Sequence, residues 1–333
     1  MLKRTATLAA LSFASLFVAA PAASAALVTH CVGTGGAVTV PNDLYVPAGE
    51  SCALTGTIVT GNVSVAAGGN LVVTGGTFAG DVRVAGNGYF DASGTDVSGP
   101  VVLAAGGYGV FLKDVTSGAV TVRPKGSTTV DSFLYAEDST IAGTVNVQAG
   151  EVQVDRTSVE GNLSSTGTYY TDVHDSFVDG TLSVLNSATG SVVCGSSVRG
   201  KATFAGNLGG VQLGPNGALD SCASGGFWGR DVSVTSTTGG VTVDDNIIDG
   251  TLTATGNTPA AQIAPTNRIR RGVVTDPAPA APARAAVAPA AARLQATHDA
   301  DRPQATRDDD TAKADIRRAE AVQEARVAGP ADL

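Results

Sequence analysis

Side chains able to do acid–base chemistry recur along this chain at nearly one interval: Glu137, Asp155, and then Asp172 with His174. Glu137 and Asp155 are 18 residues apart, and Asp155 and His174 are 19 apart. If that interval is one turn of a stacked chain, the carboxylates of adjacent turns lie about 5 Å apart, as a retaining glycosidase needs. Alternate turns double that separation and would suit an inverting enzyme. Arg156, next to Asp155, would serve a lyase as proton abstractor while the clustered acids held Ca²⁺. The same residues also make an ordinary surface ladder of Asp–Arg–Asp ion pairs, with His174 paired to Asp155. His174 stands alone between His30 near the start and His298 near the end, so no histidine metal site assembles. No Gly-x-Ser-x-Gly elbow, phosphate loop or dinucleotide fingerprint is present. No cofactor is implied, Ca²⁺ entering only with the lyase reading.

The elements that would position these groups are short and repetitive. A glycine followed two positions later by Val, Leu or Ala returns at Gly61, Gly80, Gly99, Gly118, Gly143, Gly161, Gly180, Gly200 and Gly250. Gly229 fits with one inserted residue, and Gly272 begins a last partial turn. Each period of about 19 residues carries three short apolar alternations, such as Val63/Val65, Leu71/Val73 and Phe78. Segments that short and that regular are strands stacked in coils, which is the parallel β-helix. About ten coils are expected over residues 26–275, making a rod on the order of 50 Å long. A right-handed coil is expected, because the strict hexapeptide period of left-handed forms is missing. The anchor glycines are explained either by unusual backbone angles or by close coil-to-coil approach.

Counting back from each anchor glycine assigns the faces of the mid-repeat strand. Leu71/Val73, Phe90/Ala92 and Val152/Val154 point inward. The alternate positions then face solvent, including Tyr89, Tyr108, Phe133 and Tyr170 in one column, Val110, Tyr135 and Asp172 in the next, and Leu112, Glu137, Asp155 and His174 in the third. The rings Tyr89, Tyr108, Phe133, Tyr135 and Tyr170 gather on one face beside carboxylates. Such a face suits a glycan, whose apolar side meets rings and whose hydroxyls donate to carboxylates. Aromatic ladders also stabilise stacked strands by cross-strand pairing alone.

Turns such as "TGNVSV", "AGDVRV" and "DGTLSV" resemble the secreted right-handed β-helix proteins of bacteria, a group largely without assigned function. "DDNIIDG" (244–250) and "TNRIRRG" (266–272) are similar to the Asn-x-Ile-x-x-Gly turns of the pectate-lyase-like superfamily. The resemblance covers about 240 residues and implies the fold. It leaves activity open, since lyases, hydrolases, adhesins and scaffolds share such repeats. Acid-pair segments of polygalacturonases and the basic motifs of pectate lyases are not found.

The two ends of the chain differ from the repeat. Lys3 and Arg4, the apolar run "LAALSFASLFVAA" and "ASA" at 23–25 have the layout of a secretory signal peptide cleaved after Ala25. From Asp276 the chain is Ala/Pro-rich and then charged, so residues 276–333 are expected to be disordered, with a short helix allowed around 311–326. Four cysteines in an exported chain read as two disulfides. Cys194 and Cys222 fall at nearly the same place on successive coils, within bridging distance, which leaves Cys31–Cys52 to pin the N-terminal cap. A formal net charge of −9 argues against nucleic acid and anionic membranes as partners. No segment after the signal is long enough to span a bilayer. These observations together predict a secreted, monomeric, non-catalytic surface protein whose aromatic and acidic face binds a glycan or envelope partner. A polysaccharide lyase or glycoside hydrolase using Glu137, Asp155, Asp172 and His174 is the alternative, and a self-assembling scaffold is a third.

Overall fold

The computed structural model describes residues 27–277 and 302–333, with side chains from residue 312 onward in the second stretch. Residues 1–26, which include the expected signal peptide, and residues 278–301 lie outside it. Residues 27–277 form a parallel β-solenoid with three faces. The first face is a sheet of 13 parallel strands in strict chain order, from Val28–His30 to Val273–Thr275. The second face carries mid-repeat strands such as Phe133–Glu137, Glu151–Asp155 and Tyr170–His174. The third consists of two-residue strands, including Phe177–Val178, Phe227–Trp228 and Ile247–Ile248. In the early coils Ser51–Val59, Asn70–Phe78 and Tyr89–Val97, the second and third faces are one continuous nine-residue strand.

Thirteen turns replace the expected ten because the first coils, at Val28–His30 and Asp43–Val46, precede the glycine repeat. The anchor glycines from Gly61 to Gly250 answer to close approach rather than to backbone angle, whereas Gly272 in the last turn has a positive φ of 92° and open space. A Cβ on Gly80 would sit 2.5 Å from the Gly61 carbonyl oxygen, and one on Gly99 would sit 2.5 Å from that of Gly80. No other residue type lets successive corners touch backbone to backbone. Left-handed backbone is needed elsewhere, at the corner joining the second and third faces. Gly56, Gly75 and Gly94 occupy it in the early coils, and Asp114, Asp138, Arg156 and Asp175 in later ones, with φ of 44° to 52° for those four.

Two kinds of contact hold the coils in register. Val63, Val65, Val82, Val84, Val101 and Leu103 alternate inward along the first face and are almost wholly buried. Each such side chain contributes about 1.5–3 kcal/mol of burial. At the left-handed corner, a column of small polar groups satisfies backbone N–H groups that the turn leaves outside the strand ladder. The Val115, Ser139, Thr157 and Ser176 amides donate to the side-chain oxygens of Ser139, Thr157, Ser176 and Ser196 on the next coil, at 3.1 to 3.2 Å. Asparagine takes over further along, the Asn246 amide donating to Asn267 Oδ1 at 2.9 Å.

Both disulfides form as expected, Cys31–Cys52 with Cα atoms 5.6 Å apart and Cys194–Cys222 with 5.4 Å. The placement of Cys222 on a strand is corrected. The strand that follows Gly190–Cys194 is Gly210–Leu213, and Cys222 sits in a loop, 214–226, that stretches this period.

The expected disorder of 276–333 is also corrected for residues 302–333. Arg302–Ala328 is a helix of 27 residues, about 40 Å long, lying on the second face. The chain beyond it completes the N-terminal end: the Thr34 amide donates to Gly329 O and the Ala331 amide to Thr34 O, each at 2.8 Å. Leu333 packs on the core beside Gly35. The helix brings little large apolar surface to its docked side, Val322 being half-buried. It buries Ala314, Ala321 and Ala325 instead, leaving Ile316 and Val327 in solvent. Small side chains let the helix backbone approach the sheet closely, and the solenoid supplies the rings.

Candidate functional site

The sheet ladders place the chemistry-bearing residues of the second face in three columns. Asn70, Tyr89, Gly109, Phe133, Glu151 and Tyr170 form one. Val72, Asp91, Phe111, Tyr135, Gln153 and Asp172 form the next. Ser93, Lys113, Glu137, Asp155 and His174 form the third. One coil departs from the expected register. Val110 and Leu112 are core residues and Phe111 and Lys113 point outward, because the corner between Lys113 and Gly118 is one residue shorter than that between Glu137 and Gly143. Tyr108 therefore sits at the edge of its column, not in it.

The rings of the outward face are covered, contrary to the expectation of a solvent-facing surface, while Glu137, Glu151, Gln153 and Asp155 between them stay half-buried. Tyr89, Phe133, Tyr135 and Tyr170 are at most 5 % exposed, and Tyr108 is half-buried. Four of the five rings pack on one another: Tyr89 meets Tyr108 edge-on at 5.8 Å, Tyr108 meets Phe133 edge-on at 5.6 Å, and Phe133 stacks on Tyr135 at 4.7 Å. Such pairs add about 0.5–1.5 kcal/mol each beyond area burial. The C-terminal helix lies over them. Ala314 joins the ring cluster, and the Arg317 guanidinium sits 5.0 Å above the Tyr108 ring. Arg317 also donates to Asn70 Oδ1 at 2.8 Å, Ser51 donates to Glu324 Oε2 at 2.6 Å, and Arg318 binds Asp91. Burial pushes the Asp91 carboxyl up to about 6, against the opposing pull of Arg318 and of the Tyr89 hydroxyl, which donates to it at 2.7 Å.

Tyr170 lies under a different cover. It packs with Val192 and Cys194, and with Leu219 and Cys222 of the 214–226 loop. Gln212 props that loop, its Nε2 donating to Asp220 O at 2.7 Å and its Oε1 accepting from the Leu219 and Asp220 amides at 2.9 and 3.0 Å.

The four candidate catalytic residues separate into two groups. Glu137 and Asp155 converge on Arg156, whose guanidinium lies 2.8 Å from Glu137, 2.7 Å from Asp138 and in contact with Asp155. Lys113 adds a second cation on Glu137 at 3.0 Å. Burial raises the Asp155 pKa, with Arg156 pulling the other way, while the hydrogen bond from Arg156 holds Asp138 below its ordinary value. A Ca²⁺ ion here would have to displace a guanidinium already bound by three carboxylates. His174 pairs not with Asp155 but with Asp172 at 2.9 Å and with Asp220 at 3.0 Å, both carboxylates almost wholly buried. Cys194 is near His174 and Asp220 but is committed to its disulfide, so it offers no thiolate to a metal.

Asp220 and Gln212 escaped sequence reasoning, although the long interval from Gly200 to Gly229 and the cysteine within it marked the loop that delivers Asp220. Arg317 and Arg318 carried no local signal at all.

The solenoid makes this chain a parallel β-helix repeat protein. No protein-family model, curated protein or solved structure matches it. Among the described residues no helix is long and apolar enough to cross a membrane.

Proposed function

We propose that the protein is an exported, non-catalytic β-helical rod that binds a glycan or another cell-envelope polymer on the faces its own chain leaves open. The observation that carries this reading is the state of the acids. Glu137 and Asp155 are neutralised by Arg156 and Lys113, and Asp172 and His174 are packed with Asp220 under a cross-linked loop. A general acid or nucleophile must reach substrate, and here each such group is turned onto a protein partner. Two disulfides fit an oxidising compartment, and the signal-peptide layout of residues 1–25 supports export. The likeness of the repeat to secreted bacterial β-helix proteins supports the same assignment. The ordered contact of residues 329–333 with the first coils occupies one end of the rod, which favours a single rod over end-to-end stacking.

Long incubation of the purified chain with a panel of plant and bacterial polysaccharides tests this reading. Retention on at least one polymer without any reducing or unsaturated product is expected. Turnover abolished by Glu137→Gln or Asp155→Asn would establish the enzyme instead.

A further inference from the structure

The third face changes character toward its C-terminal end. Phe177, Ser197, Phe227, Ile247 and Arg268 occupy one register column on successive coils. Their neighbours Val178, Val198, Trp228 and Ile248 are buried, so the column points outward. Phe177 is 37 % exposed, Phe227 39 % and Ile247 43 %. Apolar side chains of this size, aligned on a rigid strip only two residues wide, need a covering partner more than isolated surface residues do.

A hollow flanks the strip on each side. The one toward the second face, about 380 Å³, is lined by Ser197, Asp245, Thr266 and Arg268 together with Phe227 and Ile247. The one toward the first face, about 400 Å³, is lined by Lys201, Arg230, Asp231, Asp249 and Arg271. Several cations of this region are already paired, Arg199 with Asp179, Lys201 with Asp231 at 3.9 Å and Arg270 with Asp249 at 3.5 Å. Arg230, Arg268 and Arg271 are exposed and have no ion-pair partner among the described residues. In a chain of net charge −9, the two hollows beside this apolar strip together carry four cations against three carboxylates, a slight local excess of positive charge.

We infer that this end of the third face binds an acidic polysaccharide lying across the strip, which rests on the glycan-binding reading above and gives it a place and a ligand class. Phe227 and Ile247 meet the C–H face of a sugar ring. Arg268 in one hollow and Arg230 with Arg271 in the other take its carboxylate or phosphate substituents, for which the planar guanidinium fork is matched. Asp231, Asp245 and Asp249 accept hydrogen bonds from sugar hydroxyls. A DNA strand offers those carboxylates phosphates that they repel and no sugar hydroxyls from which to accept, whereas each residue of an acidic polysaccharide carries both an anion and hydroxyls. The cations stand in two separated hollows, not in the continuous basic stripe such a polymer requires.

Affinity electrophoresis of the full chain in gels containing alginate, a phosphate-substituted mannan or uncharged dextran tests the inference, with single-stranded DNA as a polyanion control. The chain is expected to be retarded by alginate or by the phosphomannan, which also tells carboxylate from phosphate. The variant R230Q/R268Q/R271Q should lose at least tenfold in Kd while keeping the wild-type melting curve, and Phe227→Ala should lose several-fold. Equal retardation of wild type and triple variant, or equal binding of DNA, overturns the site. Retardation by dextran alone overturns the acidic class but leaves glycan binding standing. Migration unaffected by every polymer overturns both.

Discussion

The second face of this solenoid is covered twice, by two different devices. Over the coils that carry Tyr89, Phe133 and Tyr135 lies the C-terminal helix, whose Ala314 is 179 to 225 residues further along the chain, held by alanine packing and by Arg317, Arg318 and Glu324. Over the coils that carry Tyr170 and Val192 lies the 214–226 loop, local in sequence and tied down by Cys194–Cys222. The frame beneath is the same ladder in both places. The loop pins itself covalently near its origin, so ordering it costs little chain entropy. The helix must return from afar, and its docking depends on a few charged contacts. One half of the face is permanently closed by construction, and the other is closed by polar contacts that can be weakened individually.

Breaking the helix cover should have the largest effect. Arg318→Ala leaves Asp91 buried without its cation, a loss of about 3–5 kcal/mol to helix docking. Limited trypsin digestion should then cut the helix rapidly while the solenoid stays intact. A helix as protected as in the wild type would show that alanine packing alone holds it.

Breaking the loop cover comes next. Cys194→Ser with Cys222→Ser removes a native cross-link worth about 2–4 kcal/mol. Faster hydrogen exchange should appear in 214–226 and around His174, with no change at the helix. An effect reaching the helix would mean the two covers are coupled.

Acidity separates the covers further. Asp91 titrates at about 6 in the folded chain against 3.8 for the free side chain. The folded state therefore binds that proton more tightly than the unfolded state. Stability from this group is fully present below pH about 4 and is lost as pH rises through about 6, a total of roughly 2–3 kcal/mol. Melting curves between pH 4 and 7 should show that slope, and Asp91→Asn should remove it. The smallest effect expected is that of Ser176→Ala. It strips the corner ladder of an acceptor for the Thr157 amide and costs about 1–2 kcal/mol in a denaturant melt, with both covers in place.

What the sequence made legible follows the same division. The coils were legible because glycine at a fixed period and inward valines are local, repeated signals. The cysteine pairing was legible because an even count in four cysteines leaves few alternatives, although Cys222 reaches Cys194 from a loop and not from the coil position expected of it. The register around Tyr108 slipped because a corner shorter by one residue leaves no mark on the glycine spacing. The first two coils were missed because Leu27 and Asn42 stand where later corners have glycine. A short helix around 311–326 was expected, but the full helix over residues 302–328 and its docking were missed for a deeper reason. A segment poor in large apolar groups reads as unable to fold, and by itself it has nothing to bury. Its partners are the rings and the carboxylate of the solenoid, and only the fold brings them opposite Ala314, Arg317 and Arg318. Most of the outward columns were thus legible as positions on the sheet but misjudged as open surface, since exposure depends on what returns to cover it.

Hydroxyl-radical footprinting of the full chain tests the central claim most directly, because it reads side-chain access ring by ring. Tyr89, Phe133, Tyr135 and Tyr170 should be protected, while Tyr169, at 50 % exposure, and Phe177 and Phe227 on the third face should be modified readily. In Arg318→Ala the protection of Tyr89, Phe133 and Tyr135 should fall, and that of Tyr170 should persist. Modification of Tyr89 and Phe133 in the wild type at the rate of Tyr169 would contradict the account, and would restore the second face as an open site.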